Sequence, residues 1–211
     1  MRRFIPIIAA ALALLAGTVP LRAGNQPGRE GSARLRYGVE WGYDATVLDV
    51  YHYNYTDPAD GFRIDDKAFK GMYYSNGHVM ANLSLEFARR WALGLHAGYA
   101  GIKQRTRFFP LALRGTFYMD SFRTDGQFLF AEGGAGFHET RKDISPYGRL
   151  GYGYRSVLGN RSSLDFSASL RIAADHPPIY DNTKPGYIPE ENIRRNDALY
   201  GAVMLTIALN F

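Results

Sequence analysis

The sequence predicts an all-β fold: an eight-stranded antiparallel up-and-down transmembrane β-barrel with a side-chain-filled polar lumen. Three observations predict it. Apolar and polar residues alternate with a period of two in eight separate stretches. The links between these stretches are alternately short and long. The one continuous apolar run, near the start of the chain, is too short to cross a bilayer as a helix, which takes about 20 residues.

Composition sets the class. The 211 residues are 46% hydrophobic and 21% charged with a mean hydropathy of −0.26. That is too polar for a bundle of membrane helices and too apolar for a disordered chain. Thirteen Phe, fifteen Tyr and twenty-three Gly supply rings for packing and room for close backbone approach, a mixture that suits strands. With no Cys, disulfides, thiolate nucleophiles and Cys-ligated metals are excluded.

The first residues, Met1-Arg2-Arg3, are basic, residues 4–16 (FIPIIAAALALLA) are apolar, and residues 18–23 (TVPLRA) end in a small residue. This is the pattern of a secretory signal peptide, and cleavage after Ala23 is expected. Loss of Arg2, Arg3 and Arg22, with no acidic residue among residues 1–23, lowers the net charge from +5 by three, to +2. A nearly neutral mature protein gives no support to nucleic-acid binding. Residues 24–33 read as a short periplasmic segment, and 34–211 as the barrel.

In the first strand, Leu35, Tyr37, Val39, Trp41, Tyr43, Ala45 and Val47 share one face, opposite Arg36, Gly38, Glu40, Gly42, Asp44 and Thr46. A strand crossing a membrane needs about 9 to 11 residues, and this run supplies them. The second strand sets Val79 to Phe87 at odd positions against Met80, Asn82, Ser84 and Glu86; after Ala88-Arg89-Arg90, the third sets Trp91, Leu93 and Leu95 against Gly94, His96 and Gly98. The fourth turns Leu111, Leu113 and Phe117 outward and Ala112, Arg114 and Tyr118 inward, and Asp125-Gly126 supplies a hairpin signal. In the fifth, over residues 127–137, Phe128 and Phe130 compete with Leu129 and Ala131, and Glu132 is taken as inward. The sixth has Leu150, Tyr152 and Tyr154 outward with Arg149, Gly151, Gly153 and Arg155 inward, where the glycines make room in a narrow lumen. The seventh alternates Leu164, Phe166 and Leu170 with Asp165, Ser169 and Arg171, and the eighth runs from Leu199 to Phe211 with its apolar residues at odd positions.

Short links fall near 88–90, 122–126 and 156–161, and longer ones near 49–77, 101–108, 138–145 and 173–197. Bacterial barrels put short turns in the periplasm and long loops outside, so both chain ends are expected on the periplasmic side. A soluble lipocalin-like barrel would be apolar inside and polar outside; here Arg, Asp and Glu share a face with Gly and Ser. These strands, together with the end Leu205-Thr206-Ile207-Ala208-Leu209-Asn210-Phe211, resemble the small eight-stranded outer-membrane barrels of the OmpA-transmembrane and OmpX class. The resemblance covers residues 34–211. It implies an integral protein of the Gram-negative cell outer membrane, with outer-membrane lipids including lipopolysaccharide and the barrel-assembly machinery as partners. Leu205, Ile207, Leu209 and Phe211 would be its assembly signal.

The inward residues include Arg36, Arg114, Arg149, Arg155 and Arg171 against Glu40, Asp44, Glu86, Glu132 and Asp165. Charges buried in so narrow a lumen must pair, so a salt-bridged plug is expected rather than a pore. His96 is expected in this interior, and His52 and His78 in solvent at the ends of the first loop. No cofactor and no metal site is expected: Asp57, Asp60, Asp65 and Asp66 miss the calcium-loop spacing.

An enzyme is the competing class. The outer-membrane lipid A deacylases carry a His-x-Ser pair near the end of strand seven, but here Asp175-His176-Pro177-Pro178 has no such serine. His138-Glu139-Thr140 is the other candidate. A hydrolase or acyltransferase would require a His and a Ser or Thr to converge at the outer rim. A narrow channel is a third class. The expected role is structural, adhesive or envelope-maintaining, without catalytic residues, and with a surface or periplasmic protein as a possible further partner. Tyr51, Tyr53, Tyr55, Tyr73 and Tyr74 in the first loop are either an interfacial aromatic belt or a contact surface, and His176, Tyr180 and Tyr187 in the last loop are further contact candidates.

Overall fold

The computed structural model describes residues 33–103, 106–138, 143–159, 161–180 and 186–211. The expected signal peptide, 1–23, and residues 24–32 of the segment after it lie outside the described residues, as do Glu139 and Thr140. Eight strands follow one another: β1 (Arg34–Thr56), β2 (Arg63–Phe87), β3 (Trp91–Lys103), β4 (Thr106–Tyr118), β5 (Gly126–His138), β6 (Ile144–Val157), β7 (Ser163–Asp175) and β8 (Ile193–Asn210). Each pairs antiparallel with the next, and β8 pairs with β1, so the sheet closes into a barrel. Closure removes free edges from the wall.

The period-two pattern becomes an inside and an outside. Tyr37, Trp41, Leu83, Leu95, Leu113, Leu150, Leu170 and Leu205 are exposed on the outer surface, while Arg36, Glu40, Asp44, Arg114, Arg149 and Arg171 are buried. An apolar wall around a charged interior is the polarity of a barrel bathed in lipid. In β5, Phe128 and Phe130 are the inward residues along with Glu132, and Leu129 faces out. Their rings fill the lumen because β6 lacks side chains opposite them. A Cβ on Gly151 would lie 2.3 Å from the Phe130 ring, and one on Gly153 would lie 2.4 Å from the Phe128 ring.

The two ends differ. The chain-end side carries the short links 88–90, 119–125 and 158–162, and Phe211 exchanges backbone hydrogen bonds with Tyr37 there. The link 119–125 is longer than the hairpin expected at Asp125-Gly126: Phe122 folds under the lumen, its N–H donating to the Arg89 carbonyl at 3.1 Å. Ala88 and Arg89 adopt left-handed backbone, which closes the β2–β3 turn tightly.

The expected long loop at 49–77 is not a loop. β1 continues to Thr56 and β2 begins at Arg63, so only 57–62 is a turn. β1 changes register between Thr46 and Leu48 against both neighbours. This β-bulge puts Val47 and Leu48 on the same outer side and rotates the rest of the strand by one position. Asp49 becomes buried, and Tyr51 packs on the inner cluster of Ile102, Phe108, Tyr147 and Tyr200. Tyr51 and Tyr53, stacked with ring centroids 4.4 Å apart, therefore face inward and are not part of an outer belt. The last loop is also shorter than the expected 173–197, since β7 reaches Asp175 and β8 starts at Ile193.

Gly151→Val should force the Phe130 ring out of its place, at a cost of about 1–3 kcal/mol. Urea unfolding of the purified barrel should show a lowered midpoint, and the double variant Gly151→Val, Phe130→Ala should recover part of it.

Candidate functional site

The lumen is filled in layers. Nearest the chain ends, Tyr118, Phe122, Phe128 and Phe130 form a buried aromatic floor. Above part of it, Arg155 lies over the Tyr118 ring at 4.5 Å and binds Asp165 through Nε and Nη2, both at 2.8 Å. Glu86 joins Arg155 Nη1 at 2.5 Å to Arg36 Nε at 2.9 Å.

Glu40 is the hub of the middle layer. Its two carboxylate oxygens accept Arg114 Nη1 at 2.6 Å and Arg149 Nη1 at 2.5 Å. Arg114 Nε also donates to Glu132 at 2.6 Å, whose second oxygen accepts the Tyr147 hydroxyl at 2.6 Å. Arg149 also donates through Nε to Ser169 at 2.7 Å and through Nη2 to Thr206 at 2.8 Å. A planar guanidinium can serve several acceptors at once, which is why arginine rather than lysine suits this network. Higher up, Asp44 accepts from Arg171 at 2.9 Å and contacts His78 Nδ1 at 2.5 Å. All ten charged residues read as inward are thus brought into ion pairs within the lumen.

The histidines fall differently from expectation. His78 is buried in the lumen and not in solvent, because β2 extends past it and turns its even positions inward. His96 is buried beside Glu40, its Nδ1 lying 4.0 Å from the carboxylate and making no hydrogen bond among the described residues. His52 is on the outer face of the β1–β2 extension, 2.9 Å from Asp65.

The far end of the lumen holds a cluster that the sequence reading did not assemble. His138 Nε2 lies 2.8 Å from Ser145 Oγ and 3.2 Å from Asp175 Oδ1, and Ser145 donates to that same oxygen at 3.1 Å. Register creates the trio: Ser145 sits on β6 opposite Gly136, His138 is two residues beyond Gly136, and Asp175 is two residues beyond Ala173, which pairs with Tyr147 of β6. Inward parity on three neighbouring strands was the available signal. In a nucleophilic triad the acid orients the imidazole through the nitrogen that does not face the serine. Here acid and serine share one nitrogen, and Ser145 is fully buried. The arrangement ties β5, β6 and β7 together at the rim.

Above this rim, Tyr51 bridges Lys70 and Asp66: the Lys70 ammonium donates to its hydroxyl at 2.7 Å, and the hydroxyl donates to Asp66 at 3.1 Å. Tyr73 is exposed on the outer side and hydrogen-bonds the Tyr43 hydroxyl, whereas Tyr74 and Tyr55 are half-buried. In the last loop, Ile179 and Ile188 are buried and joined by a backbone bond of 2.9 Å, which leaves Tyr180 and Tyr187 exposed and in edge contact at 5.8 Å. His176 lies 3.3 Å from Asp197. Leu205, Ile207 and Leu209 line the outer wall below, and Phe211 stacks on Tyr37 at 5.7 Å. Among the described residues, no group of three or more His, Asp or Glu side chains is arranged to hold a metal ion.

These features define a small transmembrane β-barrel with a side-chain-filled, charge-paired lumen. Neither a protein-family model nor a curated protein sequence matches the chain. Solved structures do. Neisserial surface protein A (NspA) is 7% identical, with 85% of this chain and 97% of that one covered and a TM-score of 0.48. The outer membrane protein OprG from Pseudomonas aeruginosa is 11% identical, with 87% and 99% covered and a TM-score of 0.43. The outer membrane protease OmpT from Escherichia coli is 8% identical, with 86% and 96% covered and a TM-score of 0.42.

Replacing Glu40 by Ala should leave Arg149 without its carboxylate and Arg114 with one of two. Breaking a buried pair costs about 3–5 kcal/mol. Glu40→Ala should therefore lower the unfolding midpoint far more than Ser145→Ala, measured by the heat-dependent gel mobility of the folded barrel.

Proposed function

We propose that the protein is an integral barrel of the outer membrane that acts through the surfaces it presents at its long-loop end, in a structural, adhesive or envelope-maintaining role. The observation that carries this reading is the filled lumen. An aromatic floor, a network centred on Glu40 and an apolar layer around Phe108 and Tyr147 leave transport little room, so the end of the barrel remains as the place for contact. The outer apolar wall suits outer-membrane lipids, lipopolysaccharide among them, and the last strand suits recognition by the assembly machinery. The rim supports protein contact, with Tyr180 and Tyr187 exposed on a loop anchored by Ile179 and Ile188. Export by a cleaved signal peptide at residues 1–23 belongs to the same reading.

Planar-bilayer recording tests the sealed lumen: the reconstituted barrel should give no stable steps, and ohmic steps would replace this reading with a channel.

A second reading, a lipid-modifying hydrolase, is favoured by one contact, that of His138 with Ser145. The burial of Ser145 and its donation to Asp175 oppose it. Mass spectra of lipid A from cells with the gene deleted, restored, or carrying Ser145→Ala should be identical. A change in acyl number that depends on Ser145 would establish the enzyme.

A further inference from the structure

One strand of the barrel is paired on a single side for a long stretch. β1 has β2 beside it from Arg34 to Thr56 and β8 from Gly38 to Tyr55. β2 meets β3 only from His78 to Phe87. Among the described residues, no strand is paired with the second edge of β2 over residues 63–77. An open row of N–H and C=O groups is a template for another strand. No proline interrupts this segment.

Its charges do not simply repel an incoming strand, because they are ordered. We propose that this edge pairs with the same edge of a second copy of the chain, antiparallel, about a two-fold axis at Ala68. Such a pair sets residues equally distant from Ala68 opposite one another. Asp66 then meets the partner's Lys70, Lys67 the partner's Phe69, Ile64 the partner's Met72 and Arg63 the partner's Tyr73, each twice. Opposite charges, an aliphatic pair and cation–aromatic pairs are the cross-strand combinations that stabilise a sheet. Neighbouring registers lose this match: an axis at Lys67 sets Lys67 against itself, and one at Asp66 sets Asp66 against itself.

The key pair is held ready. Tyr51 fixes both Asp66 and Lys70 through its hydroxyl. An ammonium has three donors and a carboxylate two oxygens, so each keeps capacity for the second copy. Asp66, Lys67, Phe69 and Lys70 are all exposed.

The axis of an antiparallel edge pair is perpendicular to the sheet. The sheet here is the barrel wall, so the axis lies in the membrane plane. Two copies in one membrane are related by an axis along the normal, which would keep both β2 strands running the same way. The paired copies therefore face each other, long-loop end to long-loop end, from opposed membranes. Ala68 is ten residues beyond His78, about 33 Å along the strand at about 3.3 Å per residue, which gives the extension its reach.

The chain has no cysteine, so disulfide trapping reads the register directly. In detergent, Ala68→Cys should form a cross-linked dimer on mild oxidation. Ile64→Cys and Met72→Cys should each give no cross-link alone and cross-link when mixed. Asp66→Lys and Lys70→Asp should each be monomeric by light scattering, and their mixture dimeric. Proteoliposomes carrying the wild type should tether to one another, and those carrying Asp66→Lys alone should not. A monomeric wild type, or cross-linking with no preference for position 68, overturns the proposal; a detergent dimer without tethering overturns the facing arrangement. All these positions lie outside the lumen, so heat-dependent gel mobility should certify each variant as folded. The proposal rests on the reading that the long-loop end is a contact surface. Failure of self-pairing would remove this partner alone, whereas conductance or a lipid A change would remove that reading.

Discussion

Eight strands close a cylinder so narrow that its interior has room for side chains and little else. Everything charged that points inward must find its counter-charge there, since an unpaired buried ion costs several kcal/mol. Glu40 shows how tightly this binds distant parts of the chain. It stands on β1 yet is shared by Arg114 on β4 and Arg149 on β6. Arg155 on β6 reaches Glu86 on β2, and Arg171 on β7 reaches Asp44 on β1, in the same way at other heights. The network crosses the lumen, so it complements the hydrogen bonds that join only neighbouring strands.

Volume is distributed by the same economy of space. Gly151 and Gly153 lack side chains where Phe130 and Phe128 project from β5, and Gly136 leaves the place taken by the Phe108 ring. Arg114 and Arg149 lie over the Phe130 ring at 4.4 and 5.1 Å, so one aromatic both fills the floor and faces two cations. The result is a lumen in which polar and apolar layers alternate and pack on one another.

A single irregularity then separates wall from rim. The bulge at Thr46 to Leu48 rotates β1, so that Tyr51 and Tyr53 continue the inner surface above the lumen. From there β1 and β2 rise beyond β3, and among the described residues the sheet has a free edge that the closed wall lacks. The filled interior and the edge left unpaired among the described residues are two consequences of strand length: matched strands close, and unmatched ones project.

By itself the sequence determined the strand number, the inner and outer faces, the ten lumen charges and the roomy glycines, because a period of two is a local property that any isolated strand must express. Even His96 was legible from parity alone. Parity fails wherever a bulge intervenes: Val47-Leu48, two adjacent apolar residues, is its only trace in the sequence, and without it parity turns Tyr51 and Tyr53 outward. Loop length failed as well, since 49–77 is polar and aromatic yet runs as two paired strands joined by the turn 57–62, which is also why His78 falls inside β2 and not at a loop end. Only the tertiary structure decided which partners the charges choose, how His138, Ser145 and Asp175 meet, and where β2 stands unaccompanied. Those depend on the stagger between strands far apart in the chain, and stagger is fixed when the sheet closes.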